Sequence, residues 1–333
     1  MATTYWVNST KTDDSGDGLT VGNAKKHISA ALGLMTEPVA DEIYINLVGT
    51  VASPQTYEET GGALMLDGPL FTGGKMLTIQ PEIWNPSNYD GLHDPFATTG
   101  SGTFGPKAIK PCIIPPLLIT RMKKAVFRGV EFAGNVDQSG FGFKADYGTM
   151  AEVHYCSATG CEVGFHAQNY SSLELYNVYA HDNENLGVAA VYNSFVRLLG
   201  ENYLHDNGMA GLACLMHSTV SIEEWVESFR RYITEIKTTQ DIMKYAGILI
   251  SRNSIVDIFD KFGEDPRSAA MVKIIDASAI HSPQYTGVLL SAMSSITGAK
   301  YILFPGSSAT DSTPSIPAEN QFVKEDESSV IVQ

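Results

Sequence analysis

The sequence predicts an all-β chain wound into a parallel β-solenoid. Three observations carry this: a glycine-led motif recurs six times, three of the intervals between copies are nearly equal, and each copy alternates apolar and polar residues at the period of a strand. Aligned on the glycine, the copies are "GFKADYGTMAEV" from Gly142, "GFHAQNYSSLEL" from Gly164, "GVAAVYNSFVRL" from Gly187, "GLACLMHSTVSI" from Gly211, "GILISRNSIVDI" from Gly247 and "GVLLSAMSSITG" from Gly287. The intervals are 22, 23 and 24 residues, then 36 and 40. The short ones set the length of one coil, and the long ones are read as a coil plus an insertion.

Within each copy the residue after the glycine is apolar: Phe143, Phe165, Val188, Leu212, Ile248 and Val288. Two positions further stand Ala145, Ala167, Ala190, Cys214, Ile250 and Leu290. A small hydroxyl follows at Thr149, Ser171, Ser194, Ser218, Ser254 and Ser294, and then an apolar residue at Ala151, Leu173, Val196, Val220, Val256 and Ile296. Period-two apolar positions on both sides of a small polar turn describe two short strands and a corner. Leucine-rich repeats share the period but need a Leu and Asn framework that is missing here.

Composition agrees with a folded solenoid. The chain has 333 residues, 44% hydrophobic and 18% charged, with 30 glycines. Lys and Arg number 22 against 37 acids, a net charge of −15 that argues against a nucleic-acid partner and favours solubility. No apolar stretch reaches membrane-spanning length. The opening "MATTYWVNSTKTDDSGDG" lacks the basic and apolar regions of a secretory signal, so synthesis in the cytoplasm is expected. Cys112, Cys156, Cys161 and Cys214 are too few and too irregular for a disulfide framework or a zinc site. No cofactor is implied.

Residues 1–36 are expected to supply an opening strand and an N-terminal capping helix, because Ile28, Leu32 and Met35 in "NAKKHISAALGLM" recur at spacings of four and three. "DDSGDG" from Asp13 lacks the twelfth-position Glu of an EF-hand and reads as a turn. Residues 37–306 are expected to form the solenoid, coiling soon after "IYINLVGT" and "KMLTIQP". Three insertions interrupt it. Residues 82–106 read as a Gly/Pro-rich loop whose Trp84, Tyr89 and His93 either fold back on the stack or meet a sugar or partner chain. Residues 222–245 place Trp225, Phe229, Tyr232 and Ile236 at helical spacing, which predicts an amphipathic helix and makes the three aromatics a candidate interface. Residues 259–284 show no assignable pattern. Residues 307–333 read as a linker and a C-terminal strand that either covers the last coil or pairs with a neighbour.

The segment "NVYAHDNENLGVAAVYNSFVRLLGENYLHDNGMAGLACL" resembles coils of the right-handed parallel β-helix superfamily that includes pectate lyases, alginate epimerases and phage tailspikes. The opening "YWVNSTKTDDSGDGLTVGNAKKHISAAL" is similar to the start of such proteins, where a strand, an Asp/Gly loop and a short helix precede the first coil. The resemblance spans about half the chain and describes backbone architecture. It implies a right-handed single-stranded parallel β-helix, homotrimeric in the phage members.

The repeated "HDN" of His181, Asp182 and Asn183, and of His205, Asp206 and Asn207, is expected to stack one coil above the other. Asn183 and Asn207 suit an amide ladder or a left-handed turn. His181, Asp182, His205 and Asp206 are the candidate acid/base or metal-ligating residues, although a repeat supplies two similar environments where an acid/base pair needs two different ones. The catalytic patterns of the superfamily do not transfer. The seven arginines include Arg197, Arg230, Arg231 and Arg252, none grouped with acids as in pectate lyases, and polygalacturonase motifs are absent. The strings nearest an epimerase motif, from Tyr147 and Leu92, depart too far from it.

The function expected is that of a structural protein of a bacteriophage virion surface, a tail spike, fibre or capsid decoration. Its partners would be copies of itself, with a trimer favoured, other virion proteins and host surface polysaccharide. A polysaccharide lyase or hydrolase using acids such as Asp137, Asp182, Asp206 and Asp257 along a groove is the alternative, and a filament or sheath subunit a further one.

Overall fold

In the computed structural model the described residues are nearly all-β, with three long parallel sheets and one short helix among them. The structure describes residues 2–35, 39–59, 62–68, 76–84, 109–134, 140–223, 226–227, 230–231, 234–238, 246–259, 272–276, 286–291, 293–297, 302–303, 322–324 and 328–331. Among these residues the first sheet has 11 strands, from Ala2–Val7 to Val330–Ile331, and the other two have nine each. The second runs from Leu64–Asp67 to Phe322–Lys324, and the third from Gln55–Thr56 to Ile302–Leu303. Successive strands visit the first, third and second sheets in turn, so each coil adds one strand to each. This is the arrangement of a parallel β-solenoid.

The repeat maps onto this pattern residue by residue. All six glycines are the second residue of a strand in the second sheet. The apolar residues after them pair in one row, Phe143, Phe165, Val188, Leu212, Ile248 and Val288. The row from Ala151 to Ile296 runs likewise through the first sheet. Inward side chains of both sheets share one continuous core, in which Phe127, Phe132, Phe143 and Phe165 stand with ring centroids 5.0 to 6.2 Å apart. Each inward residue is covered only by the coils above and below it, so the core is built by stacking.

Glycine is required at the repeat position by close approach. A Cβ on Gly187 would lie 2.7 Å from the Gly211 carbonyl oxygen and 2.8 Å from Asn207 Nδ2. The hydroxyl position builds a buried ladder: the amide of Thr149 donates to Ser171 Oγ at 3.2 Å, that of Ser171 to Ser194 at 3.2 Å, and that of Ser194 to Ser218 at 3.1 Å. Just before it, two consecutive left-handed residues turn the chain from the second sheet into the first, as at Asn169 and Tyr170 (φ +52° and +64°) and at Tyr192 and Asn193 (φ +56° and +60°).

Two features differ from the sequence expectation. A coil has three strands where the periodicity indicated two, because in the regularly spaced coils the third-sheet strands, Ser157–Thr159, Tyr179–His181 and Tyr203–His205, are only three residues long. The described residues of 222–245, where the spacing predicts a helix, are strands. Thr219–Glu223 and Thr234–Thr238 are strands of the first and third sheets, and Val226–Glu227 pairs antiparallel with Arg230–Arg231 between them. Ile236, the last residue of the helical pattern, and Ile222, the first residue of the stretch, are instead buried core residues, in register with Leu204 and Leu198. Tertiary packing overrides local periodicity here. Trp225, Phe229 and Tyr232 lie outside the described residues, as do Tyr89, His93 and Asp137.

The one helix among the described residues, Ile28–Leu32, is five residues long; it buries Ile28 and Ala31, with Leu32 and Met35 packed on the core. Glu59 accepts hydrogen bonds from the Ile28 and Ser29 amides at 2.7 and 3.1 Å, capping its first turn. In the unassigned stretch 259–284, Val272–Asp276 is a strand of the third sheet. Phe322–Lys324 and Val330–Ile331 pair in parallel with strands of the preceding coil, so the C-terminal residues extend the stack.

Candidate functional site

The His-Asp-Asn repeats fall where the third sheet turns into the second. His181 and His205 end their short strands and are paired in register. Asp182 and Asp206 follow with left-handed backbones, φ +52° and +54°, at the position that Gly160 occupies one coil earlier. Asn183 and Asn207 are buried, and their amides form the ladder. Asn183 Nδ2 donates to Asn207 Oδ1 at 2.9 Å and to the Ala158 carbonyl at 3.2 Å, and Asn207 Nδ2 donates to the Ala180 carbonyl at 3.1 Å. The left-handed residue is thus the aspartate, and the asparagine bridges coils.

The two histidines sit in different surroundings. His181 stacks on Tyr179 at 4.0 Å and its Nδ1 lies 2.7 Å from Asp182 Oδ2, whose side chain is 62% exposed. His205 is buried beneath the edges of Tyr179 and Tyr203, at 5.8 and 5.2 Å. No group of three His, Cys, Asp or Glu side chains among the described residues is arranged to hold a metal ion. All four cysteines are free and buried, and burial pushes the Cys156 and Cys214 thiols up to about 12.

A denser polar cluster lies on the outward face of the first sheet. Its strands present Glu152, Glu174, Arg197, Ser221, Asp257 and Thr297 in one row, and His154, Tyr176, Leu199 and Glu223 in the next. Glu152 lies 3.0 Å from Lys124 Nζ and 3.3 Å from His154 Nε2. Tyr176 donates its hydroxyl to Glu174 at 2.6 Å, while the His154 ring lies flat on it at 4.3 Å. Arg197 grips Glu223 with Nε and Nη2 and reaches Glu174 at 3.6 Å.

The electrostatics follow from these contacts. Hydrogen bonding from His154 and the Lys124 ammonium, outweighing partial burial, hold the Glu152 carboxyl down to about 2. Burial lowers His154, and burial with the Glu174 contact raises the Tyr176 phenol. At neutral pH Glu152 is therefore ionised, His154 neutral and Tyr176 protonated. Glu152 cannot serve as a proton donor, nor Tyr176 as a base. Nearby, Trp84 is buried against Tyr155 at 6.0 Å, with the Arg128 guanidinium 5.8 Å from its ring centre, so this residue of the 82–106 loop folds back on the stack.

Sequence reasoning missed this cluster, although its signal was in the aligned copies. Glu152, Glu174, Arg197, Ser221 and Asp257 all stand ten residues after a repeat glycine, at the outward position of the strand. Attention to apolar positions passed over Glu152, Glu174 and Ser221, and Arg197, read as ungrouped with acids, in fact contacts Glu174 and Glu223.

No protein-family model matches the chain, and no curated protein matches it significantly in sequence.

Proposed function

We propose that the chain is a structural, non-catalytic β-solenoid that assembles with copies of itself, as a surface protein of a bacteriophage particle: a tail spike, a fibre or a capsid decoration. In this reading the stack is wound right-handed, as parallel crossovers nearly always are. The phage setting rests on the likeness of the coils around His181 and His205 to tailspike coils. The non-catalytic part rests on one observation: Glu152, Glu174 and Glu223, the carboxylates of the richest polar cluster, are each engaged by Lys124, His154, Tyr176 or Arg197 of the same chain. Such a network stiffens a surface. It ties these carboxylates to groups of the chain itself and holds Glu152 ionised, whereas glycoside hydrolysis needs a carboxylic acid open to the leaving group.

Self-assembly is supported by the outward face of the second sheet. There the partly exposed Val191, Met209, Leu215 and Leu249 pack over the buried Leu186, Ala189, Ala210 and Ala213 as an apolar strip. This strip is uncharged on a chain of net charge −15, so it is where two copies approach with least repulsion. Light scattering on the purified chain at two concentrations tests the proposal, together with assays for new reducing ends and unsaturated uronates on neutral and acidic polysaccharides. A closed oligomer of constant mass without cleavage is expected. A monomer or polysaccharide cleavage overturns the reading, and mass growing with concentration replaces it with a filament.

A further inference from the structure

Asn207–Gly208 is the only Asn-Gly dipeptide in the sequence. An asparagine side chain cyclises most readily before glycine, because no Cβ on the following residue hinders attack by its amide nitrogen. The fold leaves no other choice at residue 208. A Cβ on Gly208 would lie 1.9 Å from the Glu184 carbonyl oxygen, so this corner passes too close to the preceding coil for any side chain. Asn183 holds the same place one coil earlier and is followed by Glu184. One ladder thus carries a labile and a less labile copy of the same corner.

The contacts that force the glycine also hold each reacting group. Cyclisation needs the Gly208 nitrogen to lose its proton and bond to Asn207 Cγ, while Nδ2 leaves as ammonia. In the structure the Gly208 N–H donates to the Asn183 carbonyl at 3.0 Å. Asn207 Oδ1 accepts from the Asn183 amide at 3.3 Å and from Asn183 Nδ2 at 2.9 Å, and Asn207 Nδ2 donates to the Ala180 carbonyl at 3.1 Å. Nucleophile, carbonyl and leaving group are all committed to the preceding coil, and Asn207 is buried. The reaction therefore requires this corner to lift from the coil beneath it.

We propose that Asn207–Gly208 is a deamidation site gated by local opening of the stack, and that the reaction makes the opening irreversible. Water opens the cyclic imide to aspartate or isoaspartate, and neither product fits the closed corner. Aspartate sets a carboxylate oxygen against the Ala180 carbonyl oxygen, where a donor stood, in a buried site. Isoaspartate adds a methylene to the main chain between Asn207 and the Gly208 amide, which the Asn183 carbonyl holds in place. Each opening thus carries a risk of permanent loss, a kinetic limit on the folded chain that equilibrium stability does not express. The inference stands apart from the assembly reading and needs no partner.

Peptide mapping by mass spectrometry, with enzymatic methylation of isoaspartate, tests it on the full chain at mildly alkaline pH, native and in urea. The isolated peptide 203–212 is the reference. In urea Asn207 should deamidate at the rate of the peptide and ahead of every other asparagine, Asn183 included. In the native chain it should react more slowly by about tenfold or more, because only the open fraction is reactive. Urea below the unfolding transition should raise the deamidation rate and the hydrogen exchange of the Gly208 amide in parallel. Refolding yield after timed incubation in urea should fall in step with the deamidated fraction. A native rate within about tenfold of the peptide's, or one that does not follow exchange at Gly208, removes the gate. Deamidated chain that refolds with the native urea midpoint removes the irreversibility. Earlier reaction in urea at Asn193 or Asn253, each followed by serine, takes the site away from Asn207.

Discussion

At the residue scale, two kinds of glycine separate cleanly. Gly187 is enclosed by the Gly211 carbonyl and the Asn207 amide, whereas Gly148 has φ +71° and nothing within 4 Å of its missing Cβ. Gly148→Ala should therefore cost about 1 kcal/mol for the left-handed backbone. Gly187→Ala should cost about 2–3 kcal/mol, because backbone of the next coil must move. Urea unfolding of the two variants checks the order. His166 provides a second residue-level test. It lies between Lys144 and Ala189 in the outward row of the second sheet, and burial, then Lys144, hold its imidazole down to about 4. Between pH 6.5 and 4 the unfolded chain binds a proton that the folded chain does not, so stability falls with pH through that window, by up to about 3 kcal/mol. In His166→Leu this part of the acid slope should vanish, seen as a smaller drop in Tm between pH 7 and pH 4.5. An unchanged slope would remove His166 as its source.

At the element scale, each corner is tied by a ladder running along the stack. Asn207 serves two coils at once, accepting from the Asn183 amide and side chain and donating to Ala180. Asn207→Ala leaves these buried groups unpartnered and should destabilise by about 1–3 kcal/mol, with hydrogen exchange rising first at Asn183 and its neighbours. The outward row of the first sheet behaves differently because it is partly solvated. The depressed carboxyl of Glu152 contributes stability above its unfolded pKa of about 4.5 that is lost as pH falls toward 2. With solvent screening the loss in Glu152→Gln at pH 7 should be about 1–2 kcal/mol, shrinking toward zero below pH 2 in denaturant titrations. The helical spacing over 222–245 misled at this scale. Ile236, which ends that spacing, is instead a core residue of the third sheet, reached from the first sheet through an antiparallel ribbon.

For the whole molecule, the outermost pairings of the first and second sheets among the described residues are made by strands near the C-terminus. Thr286–Ser291 and Ser295–Thr297 are covered by Phe322–Lys324 and Val330–Ile331. Truncation after residue 321 strips that cover and leaves a parallel edge of unpaired amides and carbonyls. The truncated chain should gain mass with concentration in light scattering where the full chain keeps a constant mass. Equal behaviour of the two would show that these strands do not protect the edge.

The sequence alone determined the register of two sheets, because their inward positions repeat: the glycine, its apolar neighbours and the hydroxyl recur with identity enough to align six coils. It also determined that Asn183 and Asn207 stack, since equal spacing places equal residues one above the other. The third sheet stayed hidden because a three-residue strand shows no period. Only the tertiary structure decided which outward residues meet. Glu152 finds Lys124, Arg197 finds Glu223, and Tyr147 faces Met65 across a groove, from positions 26 to 82 residues apart. Outward side chains are not constrained to repeat, and their partners are fixed by the coil pitch, which brings residues of one column together however much chain is inserted between them.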